Sequence, residues 1–237
     1  MAYGAVPHTL DHNERERLLR MLSAATFMIF FQAYMVAPII PTLSNAFGAS
    51  EHTVGLVVPA YLIPYGFATL IYGLLADRVG VQRVMFVSLA AFAVLTALTA
   101  SATTIGQVAL WRVLTGLGAG GVVPLALVLV SKLFPYEQRG RPLGWLFGAM
   151  AGGMAFGSPL GAVLVGYIGW RGLFLLVGAA GGMILLLFLP YRRMIASIMQ
   201  PTGGRLGELL RGYVSLGAWQ KQLDQESSVK ASLGDVR

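Results

Sequence analysis

The feature that most limits what this chain can become is a set of long stretches without charge. Residues 21–43, 53–76, 84–104, 107–131 (interrupted only by Arg112), 143–168 and 173–191 carry no acidic or basic side chain. Each is close to the roughly 20 residues that a helix, rising about 1.5 Å per residue, needs to cross a hydrocarbon layer about 30 Å thick. Peptide groups in lipid find no water, so a crossing segment must satisfy them itself. None of these runs shows the period-two alternation of a membrane barrel. The predicted fold is all-α, with six transmembrane helices. Composition agrees, with 56% hydrophobic and 11% charged residues and a mean hydropathy of +0.70, outside the range of water-soluble domains.

Arg15, Arg17 and Arg20 precede the first apolar run as they would in a secretory signal. That run is too long and lacks a small-residue cleavage site, so it reads as a retained first helix. The other basic residues fix an orientation. With the N-terminus inside, Arg78 and Arg83, then Lys132, Arg139 and Arg141, then seven Lys and Arg from Arg192 onward all fall on the cytoplasmic side, and Arg171 alone lies in an outer loop. This is the positive-inside pattern, with both termini cytoplasmic. The net charge of +7 then reflects insertion and contact with anionic lipid, not nucleic acid.

Three regions follow: a cytoplasmic arm (1–20), a bundle (21–191) and a cytoplasmic tail (192–237). In the tail, Leu206, Leu209, Leu210 and Val214 recur at helical spacing with Arg205, Glu208 and Arg211 between them. Either an amphipathic helix on the inner leaflet or a frayed segment satisfies that pattern, and the stretch beyond Lys221 has the composition of disorder. Catalysis is not expected. Cysteine is absent, His8, His12 and His52 are not spaced as a metal set, and no Gly-rich loop joins a strand to a helix. No cofactor is implied.

Charge returns abruptly in the turn between the second and third helices, GLLADRVGVQRV at 73–84. Asp77 closes a helix, where the macrodipole already places about half a negative charge, so an acid there needs a stabilising partner. Arg78 and Arg83 are near in sequence. The spacing of Gly73, Asp77, Arg78, Gly80 and Arg83 resembles the signature loop of the major facilitator superfamily of secondary transporters, although Val81 and Gln82 stand where that family usually carries basic residues. The resemblance implies a latch, in which Asp77 grips a helix end in the opposite half of the transporter. The competing reading is a solvated cap with positive-inside arginines.

Two further stretches extend the resemblance. WRVLTGLGAGG at 111–121 puts Arg112 inside the fourth helix, with Gly116 four residues on and Gly120 four beyond that. An ionisable group inside a span is costly and marks a functional hypothesis, while snorkelling to the interface beside Trp111 is the alternative. Arg112 and Gly116 resemble the family's fourth-helix motif, linked there to proton or substrate coupling. GGMAFGSPLGA at 152–162 aligns Gly153, Gly157 and Gly161 and adds Pro159. It resembles the motif of the family's proton-coupled antiporters, with Ser158 and Ala162 departing from it; a plain packing seam explains the same glycines. PYEQRGRPLG at 135–144 and GWRGLF at 169–174 also resemble loops of this family.

The resemblance implies two inverted three-helix repeats in each half of a two-half transporter, with substrate bound between the halves near the midplane. This chain supplies one N-terminal half, so a truncated or frameshifted product, a split gene, or a protomer that pairs with another half or another copy are the expectations. Gln32, Tyr34, Tyr61 and Tyr65 are the cavity candidates, each equally explicable by packing. The function expected is exchange of a small organic solute, by efflux against protons, in a bacterial inner membrane. The alternatives are a sugar or metabolite transporter and a non-transporting assembly protein.

Overall fold

The computed structural model describes residues 11–198, and every regular element among them is helical. The amphipathic pattern at 205–214 lies outside the described residues.

Helix α1 (His12–Tyr34) opens after Asp11, whose carbonyl accepts the amides of Glu14 and Arg15 at 3.0 and 3.2 Å. It begins ahead of the first uncharged run. Leu18 and Leu19 are buried while Arg17 and Arg20 point outward, so one helix holds its arginines on one face and its core leucines on another. A single turn at Ala37–Ile39, with Pro38 in it, separates α1 from α2 (Ile40–Phe47), which carries Pro41 in its first turn. Helix α3 (Glu51–Gly55) is likewise parted from α4 (Pro59–Val79) by a short break before Pro59. Proline has no N–H to continue a helical ladder, which accounts for both breaks. Then come α5 (Val81–Thr99), α6 (Ile105–Ala119), α7 (Val122–Leu133), α8 (Gly140–Phe188) and α9 (Arg192–Ile198).

Five stretches are long and apolar enough to cross a membrane: His12–Phe47, Glu51–Val79, Val81–Thr99, Ile105–Leu133 and Gly140–Ile198. The last is 59 residues long and is divided at Gly169, whose φ of 67° and ψ of 170° are not helical. Only glycine takes such a conformation without strain. The division yields spans five (140–168) and six (170–198), and the described chain has six spans in all.

Contacts along the spans give their directions. The would-be Cβ of Gly153 lies 2.6 Å from the Phe27 carbonyl oxygen, that of Gly157 2.9 Å from Phe31 and that of Gly161 2.7 Å from Met35. Both sets of numbers rise together, so spans one and five run parallel. Gly116 meets the backbone of Tyr61 and Tyr65, and Gly120 meets Ala68; spans two and four are also parallel. Gly178 touches Ala97 while Gly181 touches Phe92, which makes spans three and six antiparallel. An inverted repeat that exchanges spans one to three with four to six maps the one–five pair onto the four–two pair and the three–six pair onto itself, as the expected architecture requires.

Candidate functional site

The centre of the bundle is organised by a charge. Arg112 sits in the third turn of α6, about 10 Å from its start, and is wholly inaccessible. Its Nε donates to the Val57 carbonyl at 3.1 Å and one terminal nitrogen donates to the Gln32 carbonyl at 3.3 Å. The guanidinium lies 4.4 Å from the centre of the Tyr61 ring. It therefore does not snorkel; it ties spans one, two and four together.

Local backbone breaks supply its acceptors. Gln32 falls in the last turn of α1, where carbonyls have no intrahelical partner and carry the negative end of the dipole. Val57 precedes Pro59; the Tyr61 amide that would serve its carbonyl in a regular helix bonds Val58 at 3.1 Å instead. The breaks in spans one and two beside Pro38 and Pro59 thus leave the Gln32 and Val57 carbonyls without intrahelical partners, and Arg112 collects them. This is the broken-helix arrangement that membrane proteins use around polar sites.

Unused polarity remains. One Arg112 terminal nitrogen and both amide atoms of Gln32 are buried without a partner among the described residues. Tyr61 reaches the Ile29 carbonyl at 3.5 Å and stacks on Tyr65 at 5.8 Å between ring centres, and Tyr65 meets Phe30 edge-on at 6.1 Å. Gln32, Tyr61, Tyr65 and Arg112 are therefore one cluster. Gly116 stands directly beyond it, allowing the backbones of α6 and α4 to touch. Tyr34 is separate: it is 38% exposed, and its Cβ lies against Gly157 on span five.

The turn at 73–84 forms as the sequence implies, between spans two and three. Gly80, at φ 102° and ψ 130°, ends α4 and reverses the chain, a conformation that favours glycine. Asp77, Arg78 and Arg83 are all exposed. The expectation that Arg78 or Arg83 stabilises Asp77 is corrected, because among the described residues Asp77 forms no ion pair; the three side chains project outward from two helix ends. On span five, Gly153, Gly157 and Gly161 face α1 and are buried, and Pro159 lies within the helix between them.

Two arginines were not singled out as structural. Arg139 donates to the Ser131 and Phe134 carbonyls at 2.7 and 3.0 Å, closing the end of α7. Arg171 donates to Ala100 and Ala102 at 3.1 Å each, closing span three, while resting 4.4 Å over the Trp170 ring. Cations at helix C-termini are favourable, and their place just beyond apolar runs was the available signal. For Val57, the signal was the proline that interrupts an apolar run.

Known proteins resemble this chain in sequence and in fold. The putative multidrug resistance protein MdtD of Serratia proteamaculans (strain 568) is 31% identical over 171 residues, covering 71% of this chain and 36% of its own length. The probable L-galactonate transporter of Escherichia coli (strain K12) is 26% identical over 174 residues, 70% of this chain and 38% of that protein. Among solved structures, a bacterial homolog to the human lysosomal transporter Spinster, in an inward-facing and occupied conformation, superposes with a TM-score of 0.69 at 19% identity, over 75% of this chain and 44% of that one. The chain thus spans well under half the length of these relatives. The pattern described as Major Facilitator Superfamily matches residues 22–216, most of the sequence and all six spans, and the chain belongs to that superfamily.

Proposed function

We propose that this chain is one six-helix half of a secondary transporter that moves a small organic solute across a bacterial inner membrane, with both termini cytoplasmic. The observation that carries the reading is Arg112: a buried cation held by main-chain carbonyls at breaks in two spans, with a donor left over beside Gln32 and Tyr61. Such a group is costly in a membrane interior and serves pathways for protons or solutes. Its coupling role, with Gly116, is to change partners as the spans move, and Gln32, Tyr61 and Tyr65 form the wall that the solute meets; Tyr34 lies at the outer margin.

Efflux against protons is the preferred direction, supported by the Gly153–Gly161 column with Pro159 and by the name of the MdtD relatives. A second half, or another copy, completes the cavity. In support, span two is sparsely buried, exposing Phe67, Leu70, Ile71 and Leu74, and Asp77 is exposed and forms no ion pair among the described residues, so that it can latch onto a partner.

The test is flux of a fluorescent amphiphilic dye in proteoliposomes holding the full chain, with a pH gradient imposed across the membrane. The expected result is gradient-driven movement that Arg112→Ala abolishes while the protein stays folded. Movement that persists in the variant would overturn the role of Arg112. Absence of movement with and without co-expressed partner halves would favour an assembly protein.

A further inference from the structure

Span four (Ile105–Leu133) is parted near its middle. Helix α6 ends at Ala119 after 15 residues and α7 runs for 12 from Val122, with Gly120 and Gly121 between them. Both glycines keep right-handed φ and ψ, −60° and −18°, then −81° and −22°, so the chain does not turn away; its ladder comes apart instead. Among the described residues the amides of Gly120, Gly121, Val122 and Val123 make no main-chain hydrogen bond, and Pro124 has no N–H to offer the Gly120 carbonyl. The proline ring also crowds that carbonyl, four residues upstream, which bends a helix.

Buried amides without partners are rare because each costs free energy, and a polar group stands beside these. Ser88 of span three is wholly inaccessible, and its Oγ has no hydrogen-bond partner among the described residues. That oxygen occupies the place where a Gly121 Cβ would sit, and such a Cβ would also lie 3.0 Å from the Tyr72 ring. A hydroxyl both donates and accepts, so Ser88 can serve a freed carbonyl or a freed amide after a small shift. On either side of the gap the pieces are fixed. Arg112 ties α6 to spans one and two, and Arg139 seals the end of α7 through the Ser131 and Phe134 carbonyls.

We propose that span four is hinged at Gly120 and Gly121: α7 swings while Arg112 holds α6 still, and the Ser88 hydroxyl bonds main-chain groups of the opened ladder in one of the two positions. The glycines supply the freedom to turn, and Pro124 keeps the ladder from closing. An arm of 12 residues is about 18 Å long, so a change in bend of about 20° carries its end through about 6 Å. That end leads into the turn before span five. On the transport reading the hinge opens and closes the inner end of the cavity; the hinge itself does not rest on that reading.

The chain has no cysteine, so spin labels can be placed in chosen pairs on the full chain in lipid nanodiscs. The pair Lys132→Cys and Val87→Cys reads α7 against span three, and the pair Leu110→Cys and Leu98→Cys reads α6 against it; all four positions are exposed. The α7 pair should give two distances several Å apart and the α6 pair one. Pro124→Ala returns an N–H to the ladder and should leave the α7 pair with a single distance, while slowing hydrogen exchange at 120–123. Ser88→Ala should change the ratio of the two α7 distances about fivefold, the weight of one hydrogen bond. A single α7 distance in the parent chain, two distances for α6, or populations unmoved by Pro124→Ala would overturn the hinge, and a ratio unmoved by Ser88→Ala would overturn the part given to the hydroxyl. Two α7 distances without dye flux refute the transport reading only, and dye flux with one distance refutes this one only.

Discussion

Spans one and five, and spans two and four, are both parallel pairs in which glycines at four-residue spacing let backbones touch, yet the pairs differ in what accompanies the glycines. Between one and five the seam from Gly153 to Gly161 is dry, packed on Phe27, Phe31 and Met35. Between two and four, Gly116 and Gly120 follow Arg112, and the facing span is broken before Pro59. Close approach is a means of holding a bundle in a solvent where burial of apolar surface gives no drive. A broken ladder with a charge inserted into it is something else, because it leaves polar groups that have to be satisfied again whenever the helices shift.

The sharpest way to break this contrast is to crowd the dry seam. Gly153→Leu would place Cβ 2.6 Å from the Phe27 carbonyl oxygen and 2.8 Å from the Phe30 Cβ. Backbone is the obstacle, so relief requires moving a whole helix, and we expect a loss of about 3 kcal/mol or more. Thermal unfolding in detergent should show the variant melting far below wild type. Gly148→Leu, on the open side of the same span where an added Cβ meets nothing within 4 Å, is its matched control. If both variants melt alike, the seam is not what holds span five.

Arg112 should respond in the opposite sense, with function falling further than stability. Arg112→Met strands the Val57 and Gln32 carbonyls, at about 1–3 kcal/mol for an unsatisfied buried group, but it also removes a buried cation whose desolvation is itself unfavourable. These effects oppose, so the change in melting should be smaller than that of Gly153→Leu. Arg112→Lys keeps the charge and loses the fork that reaches two spans at once. We expect both variants to lose dye flux. A variant that unfolds outright would make Arg112 a packing element like the glycines.

These differences bear on what the sequence reveals. Six uncharged runs give six spans because lipid imposes length and apolarity directly, and the positive residues mark one face of the bundle. The same counting misplaces the start of α1, since a charged residue ends a run even where Leu18 and Leu19 beside it are buried. The breaks at Pro38 and Pro59 leave hydropathy unchanged and so were missed. The burial of Arg112 depends on carbonyls 80 and 55 positions away, which no local pattern contains. Tyr61 and Tyr65, four residues apart in α4, share a face and join that cluster, whereas Tyr34 stands two residues beyond Gln32 in the same unbroken α1 and so turns about 200° away from it.

Smaller effects should come from the arginines that close helix ends. Arg171→Ala removes two bonds to carbonyls at the end of span three, and Arg139→Ala removes two at the end of span four. About 1 kcal/mol each is expected, seen as a modest drop in melting temperature with flux retained. These residues sharpen the comparison, since they too bind main-chain carbonyls, but at span ends reached by water and not inside the bundle. A loss of flux as complete as that of Arg112→Met would erase the distinction between an end cap and an interior tie.

The least effect is expected from the ion pair that joins the dry seam at its basic end. Glu16 and Arg141 keep the same register as the glycines above them and are bonded through both oxygens, which invites the view that charge aligns spans one and five. Their exposures argue otherwise. Arg141 is 64% accessible and Glu16 14%, so water and salt screen the pair, and pairs of this kind contribute about 0–1 kcal/mol. Glu16→Gln should shift melting slightly at low salt and indistinguishably from wild type at about 1 M salt, where the screening length falls to about 3 Å. A large shift that persists in salt would mean that the register of the seam is set by this pair and that the glycines merely permit it.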